Sequence, residues 1–191
     1  MAPKVKVTRE DIIKTTLELV RKHGADYINA RAIASALECS TQPIFSNFNS
    51  MEELQEETIL CAYGLYLDFI KSEIESGEYP QYKAFGMAYI RFAKEEKELF
   101  KLLFMRDRTN EDLSPSPDFE ESVNLIMELN NVSREQAMLI HLEMYTCVHG
   151  IATMVATSFL PLEWTLISQI LSDIYHGIRT KVAEENKNDC N

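Results

Sequence analysis

The chain has 191 residues, enough for one ordinary domain or a small domain joined to a larger one. It is 46% hydrophobic but holds only six Gly and six Pro, too little punctuation for a many-stranded β fold, so the class expected is all-α. The net charge of −11 argues against nucleic acid if taken whole, yet residues 1–50 carry seven Lys or Arg against five acids, leaving −13 for the rest: a mildly basic head on a strongly acidic body.

The first helix should start at Thr8, a capping hydroxyl followed by Glu10 and Asp11 in the positive first turn. It should end at "RKHG", where Gly24 can take the left-handed conformation that closes a helix. Asn29 is a plausible cap for a second helix, Ala30 to Leu37, with Ile33, Ala34 and Leu37 pointing inward. After the break "ECS", Ser40 can cap a third helix in which Pro43 falls within the first turn, where its missing N–H is no loss. Ser50 and Glu53 form a capping box for a long helix from Met51 to about Ser76, stopped by Gly77 and Pro80. "KAFGMAYIRFA" and "KELFKLLFM" read as a second pair of helices in the body, and residues 107–118 as the one clear loop. A helix from Phe119 to about Asn130 follows. Ser133 with Gln136 opens a long one to about Ser158, and Pro161 separates it from a last helix starting near Glu163.

Two helices of about eight residues joined by a three-residue turn fit a helix-turn-helix, whose second helix lies in the major groove and presents its N-terminal half to base edges. The third helix has suitable parts: Thr41 and Gln42 at its tip, Ser46 and Asn47 one turn on. Gln reads adenine through two hydrogen bonds, and Ser, Thr and Asn suit bases or phosphates. On pattern alone, a three-helix cap that merely packs on the body remains open.

Thr8 to Leu54 resembles the N-terminal region of the TetR family of one-component bacterial transcription regulators. The stretches that carry the resemblance are "AIASAL", "ECS", "TQPIFSNF" and "NSMEEL". The resemblance implies a head, residues 1–50, that binds double-stranded operator DNA through Arg31, Thr41, Gln42, Pro43, Phe45, Ser46 and Asn47. It also implies a body, residues 51–191, that senses a small molecule and forms a homodimer. Three positions depart from the family pattern: Glu38 stands where Gly is common in the turn, Phe45 where a phosphate-binding Tyr is common, and Met51 where Lys often opens the fourth helix. In the body, "AYIRFAKEEKELFKLLFM" and "VHGIATMVA" resemble a subfamily with a Trp-His-Gly motif, Val148 replacing the Trp.

Tyr63, Tyr66, Phe69, Phe85, Tyr89, Phe92, Phe100 and Phe104 concentrate aromatics in the front of the body, as core or as a lining for a lipophilic effector, with Met127 added to the latter. His141, Tyr145 and His149 recur every four residues and share a helix face, as pocket groups or as satisfied polar residues at a helix interface. No carboxylate is spaced with either His as a di-iron site needs, so neither metal nor cofactor is expected. In the last helix Trp164, Ile167, Leu171, Ile174, Ile178 and Val182 make an apolar stripe, and Gly150, Ala152 and Ala156 let the preceding helix approach closely; a four-helix dimer interface, with Val155 in it, is the expectation.

An enzyme is not expected, because there is no glycine-rich phosphate loop, nucleophile elbow or paired metal motif. The other reading carried is a non-enzymatic helical interaction module with a degenerate head, which operator binding separates from a live regulator. Four widely spaced cysteines, no apolar leader and no apolar run approaching the roughly 18 residues of a membrane span point to a cytoplasmic protein.

Overall fold

The computed structural model describes residues 7–109 and 117–188; these are helical, with no strand among them. The helices are α1 (Arg9–His23), α2 (Ala30–Ala36), α3 (Gln42–Asn47), α4 (Met51–Ser76), α5 (Gln81–Glu95), α6 (Lys97–Phe104), α7 (Pro117–Asn130), α8 (Arg134–Ala156) and α9 (Trp164–Asn188), with a 3-10 turn at Ala25–Tyr27. Most of the expected loop, residues 110–116, lies outside the described residues, as does the end of the polar tail. By contact the chain divides into two compact units. One comprises residues up to Asp68 with Glu95–Asp107, and the other Phe69–Lys94 with Arg108 onward.

In the first unit, Ile12 of α1, Ile33 and Ala34 of α2, Ile44 of α3, Phe48 at the end of α3, and Leu54 of α4 meet in one buried cluster. Each fully buried Ile or Leu contributes about 1.5–3 kcal/mol, so four helices are tied by one small core. The caps are mostly those the sequence indicates. The Thr8 hydroxyl accepts from the Asp11 amide at 3.1 Å and the Asn29 side chain from the Ala32 amide at 2.9 Å. Ser40 is a correction: α3 begins after Thr41, whose own backbone is already helical, and no side chain caps it. Ser50 accepts from the Glu53 amide at 3.2 Å, but the Glu53 carboxylate reaches back to the Asn49 amide at 2.7 Å, so the box closes one residue early.

Gly24 is needed for a different reason than expected. Its φ of 86° is positive but its ψ of 178° is extended, a region essentially confined to glycine, and a Cβ there would stand 3.3 Å from the Glu98 carboxylate. Glu98 belongs to α6, which the sequence assigned to the body; α6 packs on α1 instead. The Arg21 guanidinium holds the Glu96 carboxylate at 2.9 and 2.8 Å across that junction.

In the second unit α7, α8 and α9 pack around Val123, Ile126, Ala137, Ile140 and Val182, with Met127, Tyr82, Tyr175 and Ile178 half-buried against them. Ser133 forms a complete capping box with Gln136 at the start of α8. Gly86 lets α5 come close to two other helices: a Cβ there would lie 3.2 Å from Val148 and 3.4 Å from Leu171. This corrects part of the expected dimer interface. Ile167 and Leu171 are 1% and 2% exposed, so those members of the stripe pack within their own chain. Trp164 is overlaid by the Arg91 guanidinium, 4.7 Å from its ring. Gly150 is exposed, and Val155, Ile174 and Ile178 are half-buried.

α8 also corrects the reading of apolar runs. Among the described residues it is the one helix long and apolar enough, by length and composition, to cross a membrane, and only 28% of that window is buried. Met138, Leu139, Leu142 and Tyr145 lie exposed along it.

Candidate nucleic-acid interface

α2 and α3 are joined by a turn whose geometry follows from its hydrogen bonds. The Glu38 amide donates to the Ser35 carbonyl at 3.2 Å and the Cys39 amide to the Ala34 carbonyl at 3.0 Å, the paired bonds of a Schellman closure. That closure needs a left-handed residue, and Glu38 supplies it with φ 52°. The chain then turns into α3, a helix of six residues anchored by Ile44 and Phe48.

The expected DNA-reading residues separate by exposure. Gln42, Phe45 and Ser46, at i, i+3 and i+4, are exposed on one face, and Arg31 is exposed on α2. Thr41 and Pro43 are half-buried. The Ser46 hydroxyl donates to the Gln42 carbonyl at 2.9 Å, leaving its oxygen as an outward acceptor. Asn47 is half-buried and its amide donates to the Pro43 carbonyl at 2.7 Å, so it braces the helix rather than facing outward.

One residue escaped the sequence reading. The Arg9 guanidinium donates to the Asn47 carbonyl at the end of α3, to Glu53 at 2.6 Å and to Glu57 at 3.0 Å, and stacks on the Phe48 ring. Hydrogen bonds from Arg9 and from the Asn49 amide hold the Glu53 carboxyl below its usual range, and those carboxylates in turn push the guanidinium well up. Arg9 thereby ties α3 to α1 and α4. The sequence signal was faint: a pair of acids four apart on α4, with no indication of a cation 44 to 48 residues upstream.

The aromatics expected to line one effector site fall into both units: Tyr63, Tyr66, Phe100 and Phe104 in the first, Phe69, Phe85, Tyr89, Phe92, His141 and Tyr145 in the second. Tyr66 meets Phe104 edge-on at 5.2 Å, and Phe92, fully buried, meets Phe69 edge-on at 5.3 Å, which is core packing. A distinct arrangement runs between α5 and α8. His141, Tyr145 and His149 stack in a row, the Tyr82 hydroxyl lies 3.3 Å from His141 Nδ1, and the Tyr89 hydroxyl lies 2.9 Å from His149 Nδ1. Phe119 covers His141 edge-on. Burial pushes both imidazoles below their ordinary value and the Tyr82 phenol up. Among the described residues no three His, Cys, Asp or Glu side chains come together as a metal site.

No family model and no curated protein matches the chain. Among solved structures it is similar to a TetR-like transcriptional regulator from Rhodococcus sp. RHA1, at 15% identity and a TM-score of 0.67, covering 90% of this chain and 96% of that one. Helix order, the helix-turn-helix and that superposition agree that the chain has the fold of a TetR-like transcriptional regulator.

Proposed function

We propose that the protein is a homodimeric DNA-binding transcriptional regulator, a repressor released from a palindromic operator by a small lipophilic effector. The observation that carries this reading is α3: a short helix held from beneath by Ile44, Phe48 and Arg9, with Gln42, Phe45 and Ser46 turned outward and Arg31 exposed on the helix before it. Such a helix is the right size for the major groove. Residues 1–50 are the DNA-binding part in this reading and residues 51–191 the part that senses and dimerises.

Two copies are needed because a palindrome presents two half-sites about 34–36 Å apart, or a multiple of that spacing. The exposed apolar face of α8, with Leu142 at its middle, is the proposed contact between copies, together with Gly150 and the exposed side of α9. The effector is assigned to the α5–α8 aromatic row, Tyr82, Tyr89, His141, Tyr145 and His149, where stacking surface and hydrogen-bonding groups alternate. It works only through different affinities for the DNA-competent and released arrangements, and a coupling of about 1–3 kcal/mol changes operator affinity roughly 5- to 150-fold.

The test is selection of bound duplexes from a random pool and from genomic fragments. The expected result is a palindromic site whose binding weakens steeply with salt, and a loss of roughly 1–3 kcal/mol at one base position on Gln42→Ala. A protein that binds all sequences equally at low salt is not a regulator of this kind.

A further inference from the structure

From Cys39 to Met51 the chain carries no charged residue, in a protein that is 26% charged. α3 lies within this stretch, and its outward face consists of Gln42, Phe45 and Ser46. With no Lys or Arg it offers phosphate no point charge, and with no acid it repels nothing. It presents an amide, a hydroxyl oxygen and a bare phenyl ring that is 54% exposed. Scattered exposed apolar residues are ordinary, but this ring sits between the two polar groups of the face that the proposed function turns toward DNA.

We propose that Phe45 determines specificity by packing against the C5-methyl group of a thymine in the major groove, next to the base read by Gln42. The proposal rests on the DNA-binding reading above. The thymine methyl is the one apolar group on the major-groove edges of the four bases. A ring without a hydroxyl placed against a phosphate or a carbonyl edge would strip water from it and return no hydrogen bond. Placed against the methyl, it buries apolar surface on both sides. Three residues advance about 4.5 Å along a helix, and base pairs are about 3.4 Å apart, so the two side chains address adjacent or next-but-one pairs. Glutamine favours adenine, which makes the expected half-site a short A·T-containing step.

The test uses the selected operator with each thymine replaced in turn by deoxyuridine, which removes the methyl and keeps every hydrogen-bonding group. The wild-type protein should bind about four-fold more weakly at one position per half-site, the worth of one buried methyl. Phe45→Ala should bind the thymine and uracil duplexes equally, Phe45→Leu should retain the preference, and a thermal melt of each variant establishes that the exposed site was changed without unfolding the head. The proposal is overturned if no uracil position weakens the wild type, or if Phe45→Ala keeps the preference. An operator found without methyl dependence refutes the role of Phe45 alone, whereas the absence of any sequence preference refutes the DNA-binding reading as well.

Discussion

The Arg9 guanidinium lies 4.0 Å from the centre of the Phe48 ring, and from there it reaches the last carbonyl of α3 and two carboxylates of α4. Four of its five N–H donors are therefore directed at protein rather than at a phosphate. Arg9→Lys keeps the charge but loses the planar fork, so one ammonium can no longer satisfy Asn47, Glu53 and Glu57 together. The expected outcome is a lower thermal midpoint and weaker binding to the operator, with binding to random duplex unchanged. Equal losses for operator and random DNA would make Arg9 a phosphate contact and remove its role in holding α3.

Glu38 occupies the left-handed position between α2 and α3, at φ 52°. A side chain there costs about 1–2 kcal/mol relative to glycine, partly offset because glycine gains freedom in the unfolded chain. Glu38→Gly should thus stabilise the protein by about 0.5–1 kcal/mol in urea denaturation. It also deletes an exposed acid from the turn beside the proposed groove-facing helix, so DNA affinity should rise, and rise more at low salt. Unchanged or reduced stability would show that the carboxylate makes up for the strain.

What the sequence disclosed were features closed by neighbours in the chain. α4 matches its expected span, Met51–Ser76, because Ser50 and Gly77 mark its ends locally, and Gln42 and Ser46 face outward because Ile44 and Phe48 set the phase of so short a helix. What stayed hidden were partners far away in sequence. Nothing local to Arg9 points to Glu57, and nothing in "KELFKLLFM" tells α6 to pack on α1. The α9 stripe was visible as an apolar face, but periodicity does not name the surface that covers it; Gly86 brings α5 close enough to take Leu171. For Gly24 the residue type was informative and the reason was not, since ψ depends on where α6 lies.

The division of α8 and α9 residues between interior and exterior gives a paired prediction for the proposed dimer. Leu142 is 59% exposed within its own chain, so Leu142→Asp should leave the thermal midpoint of the monomer unit nearly unchanged while abolishing association in sedimentation or light scattering. Leu171 is buried against α5, and Leu171→Ala should cost about 2–5 kcal/mol of stability without changing the stoichiometry of the folded fraction. If Leu142→Asp still forms dimers of wild-type strength, the exposed face of α8 is not where the two copies meet.

The stacked His141 and His149 give stability a specific pH dependence. Burial depresses both imidazoles below their ordinary 6.5, each facing a tyrosine hydroxyl, Tyr82 or Tyr89, with Tyr145 stacked between them and Phe119 over His141. In the unfolded chain these rings take up protons as pH falls through the ordinary value; in the folded chain they resist until the pH is lower. Within that window the unfolded state binds more protons, so stability falls as pH falls, and above it both rings are neutral in both states and the effect vanishes. Carboxylates held below their usual range, such as Glu53 and Glu135, lose their contribution only at still lower pH, which separates the two effects. Between about pH 7 and pH 5 the wild-type thermal midpoint should drop, and the drop should shrink in a His141→Gln, His149→Gln double variant. Parallel curves for the two proteins over that range would mean that the imidazoles are protonated as readily in the folded chain as in the unfolded one.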